Sequence, residues 1–349
     1  MRLLIATDAW HPQINGVVRS LEHMAVEASH FDAEVVFLTP ERFRSFPMPT
    51  YGEIRLSLAT PRAAARHMAA VEPSHVHIAT EGPIGFAARR ACLSDGRSFT
   101  TSYHTRFPEY VSARAPVPKR WSYAVLRRFH NAGRGVMVST PSLERELRVR
   151  GFERIMRWTR GVDTELFRLR PTSVLELPRP ISLFVGRLAV EKNVEAFLHL
   201  DLPGTKVVVG DGPARVDLER AHPDTRFLGA LSGEPLAAVY ASSDVFVFPS
   251  LTDTFGIVLL EALASGLPIA AFPVTGPLDV VGASGCGVLD WDLGRAVLGA
   301  LQVPKERCRA HGQTFTWTES ARQFFANIRA AHAARWHEKG AEGAVSLAS

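Results

Sequence analysis

Cysteine is scarce in this chain: Cys92, Cys286 and Cys308 are scattered among 349 residues, odd in number, with no CxxC pair and no Cys/His spacing. That excludes a disulfide framework and a structural zinc site, and makes a reducing cytosol the simplest compartment. Also missing is any uncharged apolar run of eighteen residues, so no segment reads as a membrane-spanning helix. The opening RLLIATDAWHP runs from a short apolar stretch straight into Asp, His and Pro. It is too short for the apolar core of a signal peptide and offers no small-residue cleavage site. There is no short repeat and no low-complexity tract.

What is present is ordinary globular composition, 46% hydrophobic and 21% charged, at a length that suits two domains. The net charge of +5 is unevenly spread. Residues 1–180 carry 26 Lys and Arg against 17 Asp and Glu, a balance of +9, and the remainder is −4. A basic half of this kind faces an anionic lipid, nucleic acid or acidic acceptor, or is simply a solvated arginine-rich surface.

Strand-like and helix-like runs alternate throughout. The first half predicts strands at 2–7, 34–38, 75–78, 98–102 and 135–139, with helices at 17–27, 62–70, 85–92 and 142–150. The second half predicts strands at 181–185, 206–209, 225–228, 245–248 and 269–272, with helices at 194–200, 214–221, 234–242, 256–264 and 291–301. Alternation of this sort predicts an α/β protein with two parallel, doubly wound sheets. Pro171, Pro178 and Pro180 punctuate the stretch between the halves and read as a linker. A final helix is expected from Thr318 to about His337, and residues 340–349 read as a frayed tail.

Two motifs carry the chemistry. GRLAVEKN, Gly186 to Asn193, follows the apolar run SLFV and sets Arg187 and Lys192 at an expected helix start, read as lacking acidic partners nearby in sequence. Helix N-terminal N–H groups, a forked guanidinium and a point-charge ammonium together suit a diphosphate. Two surface cations are the plain alternative. DTFGIVLLE, Asp253 to Glu261, spaces two carboxylates by eight residues, just over two helical turns, which predicts one shared face. Cations for a diphosphate and carboxylates for hydroxyls describe a nucleotide-sugar site. Asp253 could instead cap a helix. Asp290-Trp-Asp292 has the DxD pattern of a metal site, but Asp292 reads as the N-cap of the following helix, so no metal is expected.

This pair of motifs resembles the signature of the family 4 retaining glycosyltransferases. DAWHPQINGVVRSLEHM, TRGVDTELF (Thr159 to Phe167, where the family usually has Asn before Gly-Val-Asp), VVVGDGP, YASSDVFVFPS and EALASGLPIAA follow in the family's order. The resemblance implies a GT-B fold: two Rossmann-like domains, 1–170 on the acceptor side and 171–317 binding the nucleotide-sugar donor. Residues 318–349 would form a helix crossing back to the first domain and a frayed tail. It implies a retaining hexosyltransferase without metal or other cofactor, in which Arg187, Lys192, His104 and Asp253 touch the reacting groups. Gly16, Gly186, Gly212, Thr254, Phe255, Gly256 and Glu261 would bind the donor, Glu261 through the ribose hydroxyls. Asp253 stands where the family usually has glutamate, a shorter arm toward the sugar.

A UDP-sugar is the favoured donor and GDP-mannose the next. The acceptor is expected to be membrane-associated, diacylglycerol or a glycolipid, by analogy with bacterial diacylglycerol glycosyltransferases and mannosyltransferases of this family. A soluble acceptor, or a nucleotide-sugar-binding regulator without turnover, is the alternative. His11 and Glu81 are candidate acceptor contacts. Residues 113–135 predict a helix opened by Pro116 and Pro118, with Trp121, Val125 and Phe129 at i+4 spacing among Lys119, Arg120, Arg127 and Arg128. That combination suits an anionic membrane interface, or an ordinary amphipathic core helix. No nucleic-acid-binding module motif accompanies the basic half. The expected location is the cytoplasm, peripherally on the inner face of the plasma membrane.

Overall fold

The structure is a computed structural model that describes residues 1–13, 15–48, 51–114, 118–171 and 173–333. Pro116, the expected frayed tail and the last residues of the expected final helix lie outside the described residues. The first half contains β1 (Arg2–Ala6), β2 (Glu34–Leu38), β3 (Ser45–Met48), β4 (Tyr51–Ser57), β5 (His75–Ile78), β6 (Thr100–Ser102), β7 (Val136–Val138) and β8 (Ile155–Arg157). Six of these form one parallel sheet in the order β2-β1-β5-β6-β7-β8, and β3 and β4 make a separate antiparallel hairpin. The second half contains β9 (Ile181–Val185), β10 (Thr205–Val209), β11 (Arg226–Phe227), β12 (Val245–Phe248), β13 (Ile269–Ala271) and β14 (Gly287–Leu289), a parallel sheet in the order β11-β10-β9-β12-β13-β14.

Both sheets are covered on both faces, which is why their strands read as continuous apolar runs. Along β1, Leu3 and Ile5 enter one cluster while Leu4 and Ala6 enter the other, the period of two that a pleated strand imposes. The cluster of Leu3 and Ile5 is completed by the helices Gly16–Glu27 and Trp317–Ala333, so the last helix of the chain packs on the first sheet. Trp158, fully buried, donates its indole N–H to Ser320 on that helix. His23 stacks on Trp317 at 4.1 Å.

Among the described residues, four strands and the helices Phe107–Arg114, Pro277–Val280 and Lys305–Gly312 escape the sequence pattern. β8 has three residues and β14 begins at glycine, so neither presents a period to read. The hairpin β3–β4 carries Pro47 at a register shift, and proline argues against a strand except at bulges and edges. The helix Phe107–Arg114 is nearly balanced in polarity around its circumference.

The interior of the first sheet includes a titratable group. His77 is fully buried on β5 and bonds Thr100 Oγ1 and Ser102 Oγ, both at 2.9 Å. Burial, reinforced by the charges of Arg160 and His130, pushes its pKa down from 6.5 to about 3. The unfolded chain therefore binds the proton more readily. The stabilising contribution is complete above pH 6.5 and is lost as pH falls toward 3. His77→Gln should flatten the stability profile across that window by roughly 1.4 kcal/mol per pH unit. Urea unfolding at a series of pH values measures this, and an unchanged acid slope would refute it.

Candidate functional site

Gly16, His104, Arg187, Gly212 and Asp253 all lie beyond the carboxyl ends of parallel strands or at the start of the helix that follows, the ligand-binding edge of such sheets. The two edges face each other and touch. Gly16 opens the helix Gly16–Glu27, capped by Asn15, whose Oδ1 accepts from Val17 and Val18 N–H at 3.0 and 3.1 Å. A methyl added at Gly16 would stand 3.2 Å from Ile257 of the second domain. Arg106 reaches Thr275 at 3.0 Å, and Asp279 accepts from Ser142 N–H and Oγ.

The loop Asp253–Gly256 is the centre of this meeting. Gly256 has φ +84° and caps the helix Ile257–Ala264, so the chain turns there in a conformation that side chains disfavour. Asp253 thus lies in the loop and not on the helix, which corrects the expectation that Asp253 and Glu261 share a helical face, and the N-cap position of that helix belongs to Gly256 instead. The two Asp253 carboxylate oxygens accept from Lys192 Nζ at 2.7 and 2.9 Å. Thr254 Oγ1 donates to the main-chain oxygen of His104 at 2.7 Å, and Thr254 O accepts from Ser139 Oγ at 3.3 Å. Phe255 is buried.

Arg187 follows β9 by two residues, and Lys192 ends a single 3-10 turn, Val190–Lys192, ahead of the five-residue helix Val194–Leu198. The expected absence of acidic partners is wrong. Arg187 pairs with Glu191 at 2.6 Å, one turn away, and Lys192 with Asp253. Gly186 and Gly212 line the same strand edge. Gly212 lies against the backbone of Leu188, whose oxygen would be 2.4 Å from a Cβ there.

Glu261 is 2% exposed and faces the first domain. Arg19, one turn into the helix Gly16–Glu27, donates to Oε1, and Tyr240 Oη donates to Oε2 at 3.0 Å. Burial raises the Glu261 pKa, with Arg19 and Tyr240 opposing. Arg19 and Tyr240 escape sequence reasoning. The available signal for Arg19 is its position one turn after Gly16.

His104, two residues past β6, is partly buried, with Nδ1 2.9 Å from Arg160 Nη2 and its ring edge-on to Trp158. Burial first, then Arg160, His77 and His130, hold its protonation well below the usual range. Arg160, in the segment TRGVD, is itself buried, and desolvation lowers its pKa to about 9.

The expected acceptor residues are dispersed. His11 is exposed and pairs with Glu22 at 2.7 Å. Glu81 follows β5 and accepts from the buried His130 at 3.0 Å. The helix Lys119–His130 buries Tyr123, Leu126, Phe129 and His130, so Phe129 leaves the expected exposed stripe. Trp121 at 62% and Val125 at 55% exposure remain outward, with Lys119, Arg120, Arg127 and Arg128 also exposed. Asp292 caps the helix Leu293–Ala300 through Arg295 N–H, and Asp290 pairs with the Arg295 side chain at 2.7 Å. Among the described residues no three His, Cys, Asp or Glu gather as metal ligands.

Two Rossmann-like domains joined edge to edge across such a cleft are the architecture of the GT-B glycosyltransferases. Sucrose-phosphate synthase from Thermosynechococcus elongatus shares this fold at a TM-score of 0.76, with 20% identity, covering 95% of this chain and 99% of that one. WaaG, a glycosyltransferase involved in lipopolysaccharide biosynthesis, does so at 0.67, with 16% identity and coverage of 93% and 99%. Residues 14–166 match the family described as Glycosyltransferase Family 4, and residues 179–301 that described as Glycosyl transferases group 1. The GDP-mannose-dependent alpha-mannosyltransferase of Mycobacterium tuberculosis is 32% identical over 319 residues, 83% of each chain. Sulfoquinovosyl transferase SQD2 of Arabidopsis thaliana is 33% identical over 68% of this chain and 50% of its own. The chain belongs to the family 4 glycosyltransferases and is an enzyme that uses a nucleotide sugar.

The Arg19–Glu261 pair joins the two domains. Arg19→Ala should destabilise the protein by on the order of 3 kcal/mol, because it strands a buried carboxylate. Adding Glu261→Gln should recover part of the loss, since the coupled pair is non-additive. Urea unfolding of the single and double variants decides it; equal, additive losses would refute the coupling.

Proposed function

We propose that this enzyme moves a hexose from a nucleoside diphosphate sugar to a membrane-associated acceptor, diacylglycerol or a glycolipid, with retention at the anomeric carbon. The observation that carries the reading is the contact of Lys192 with Asp253, 61 residues apart in sequence, in a loop whose next residue bonds His104 of the other domain. Cations for a leaving diphosphate thus stand beside groups suited to sugar hydroxyls. In this reading Arg187 and Lys192 neutralise the diphosphate as the C1–O bond to the β-phosphate breaks. The acceptor oxygen adds to the same face of C1, and a departing phosphate oxygen takes its proton. Asp253 orients Lys192 and the sugar, the Thr254–Gly256 backbone approaches the sugar or phosphate, and Glu261 accepts from the ribose hydroxyls once Arg19 yields an oxygen. The chemistry needs no metal, since the two cations occupy its place.

GDP-mannose is the donor to test first, because the mycobacterial relatives matched over most of the chain carry it in their names. A UDP-sugar, the choice favoured by the sequence, is second. The membrane acceptor is supported by the helix Lys119–His130, where exposed Trp121 and Val125 lie among exposed cations. Each basic residue held near an anionic surface contributes roughly 1 kcal/mol. No helix among the described residues is long and apolar enough to cross a membrane.

Purified enzyme should transfer labelled mannose or a UDP-borne hexose to a lipid extract in EDTA. Activity lost in EDTA and restored by manganese would overturn the metal-free reading, and transfer only to soluble sugars would overturn the lipid acceptor. Arg187→Ala and Lys192→Ala should each lower kcat by about 10²-fold with circular dichroism unchanged; rates within threefold of wild type would remove them from the diphosphate site.

The protein should also sediment with anionic vesicles at low salt and be released at high salt, because the attraction is screened within a Debye length. Neutralising Arg120, Arg127 and Arg128 together should abolish sedimentation while sparing transfer to a water-soluble acceptor analogue. Wild type left in the supernatant at low salt would refute the membrane reading.

A further inference from the structure

His104 is held in an unusual way. Its Nδ1 lies 2.9 Å from Nη2 of Arg160. A guanidinium carries donors only and stays protonated, so at this contact the ring nitrogen must accept. The ring is neutral at neutral pH, as its burial and cationic neighbours require. Its single proton is therefore on Nε2. That nitrogen is buried, with no hydrogen-bond partner among the described residues. An N–H donor without a partner in a buried place costs about 1–3 kcal/mol unless something fills it.

The guanidinium is fixed from several sides. Arg160 Nη1 donates to the main-chain oxygens of Trp158 and Thr159 at 2.7 and 3.2 Å. Its central carbon Cζ lies 4.1 Å from the centre of the Trp158 ring. Trp158 is anchored by its own N–H on Ser320. No carboxylate pairs with Arg160 among the described residues, so nothing competes for the N–H directed at His104. From the other side, Thr254 Oγ1 holds the His104 main-chain oxygen at 2.7 Å, which places the histidine against the Asp253–Gly256 loop.

We propose that Arg160 is a positioning residue that locks His104 in the Nε2–H tautomer, so that the ring presents a fixed donor to a hydroxyl of the transferred sugar. This rests on the proposed function, with His104, which the family resemblance sets against the reacting groups, taken as a contact of the transferred sugar. An asparagine side chain, which both donates and accepts, would leave either tautomer open at the same position. Arginine removes that choice. The ring then discriminates for a sugar oxygen that accepts at Nε2, and the donor is set before the sugar arrives.

The test is nitrogen NMR of protein labelled with ¹⁵N-histidine at pH 7, with the His104 signal identified by its absence in His104→Gln. Wild type should show the Nε2–H tautomer alone; an Nδ1–H ring in wild type overturns the proposal without recourse to any variant of Arg160. In Arg160→Met the His104 signals should shift toward a mixture of tautomers. Its kcat/KM should fall by about tenfold, the worth of one hydrogen bond. Arg160→Lys, which keeps a donor-only cation, should retain the wild-type tautomer and most of the rate. With a panel of monodeoxy donors, the Arg160→Met penalty should vanish for the one lacking the hydroxyl that His104 contacts. If Arg160→Met leaves the tautomer unchanged, the lock is refuted while the role of His104 stands. If His104→Ala transfers sugar at the wild-type rate, the underlying reading of His104 fails instead.

Discussion

The turn at Gly256 is the constraint on which the cleft depends. Its left-handed backbone ends the loop from Asp253 and starts the helix Ile257–Ala264 in one step. A second close approach, Gly276 against the oxygen of Phe255, holds the same loop from behind; a Cβ there would lie 2.9 Å away. With its ends fixed, the loop can direct Asp253 inward to Lys192 and Thr254 outward to His104. One four-residue segment thus couples the strand edge of its own domain to that of the other.

Electrostatics sort the carboxylates of the cleft by burial. Asp253, only partly buried, stays beside the Lys192 ammonium, whereas Glu261, almost fully buried, has its proton affinity raised by desolvation and opposed by Arg19 and Tyr240. A buried carboxylate with both oxygens occupied is a demanding arrangement, because loss of either donor leaves an expensive group behind. Arg19 comes from the first domain and Tyr240 from the second, so the satisfaction of Glu261 requires both domains in place. Under the proposed function, ribose hydroxyls donating to Glu261 would have to replace part of that arrangement, which would link nucleotide binding to the relative position of the domains.

The segment Trp158–Val162 and the last helix form the other connection. Val162 bridges Thr316 across the two passes of the chain between domains, and Trp158 and Thr159 contact Ser320 and Gln323. The same segment carries Arg160 to His104. The crossing of the chain between domains is thereby part of the wall of the site as well as a tether.

Much of this protein is legible in its sequence. Short, continuously apolar strands alternating with amphipathic helices dictate two parallel sheets, because each strand must bury both faces. The glycine turns and polar residues after those strands mark the edge where ligands lie. Local pattern could also identify Asp292 as a cap, since an N-cap interaction spans only three residues. Tertiary structure decided the partners. Asp253 is brought to Lys192 from 61 residues away, whereas Arg187 and Glu191 form an i,i+4 pair that the sequence already offered. Asp253 and Glu261 left a common helical face because Gly256 delays the helix start, Phe129 turned inward while Trp121 stayed out, Arg19 became a site residue only when the two domains met, and Arg160 only when the first domain folded it against His104. Backbone periodicity is a short-range property written along the chain. Charge pairing and burial across a cleft join residues tens to hundreds of positions apart, and no local pattern encodes them.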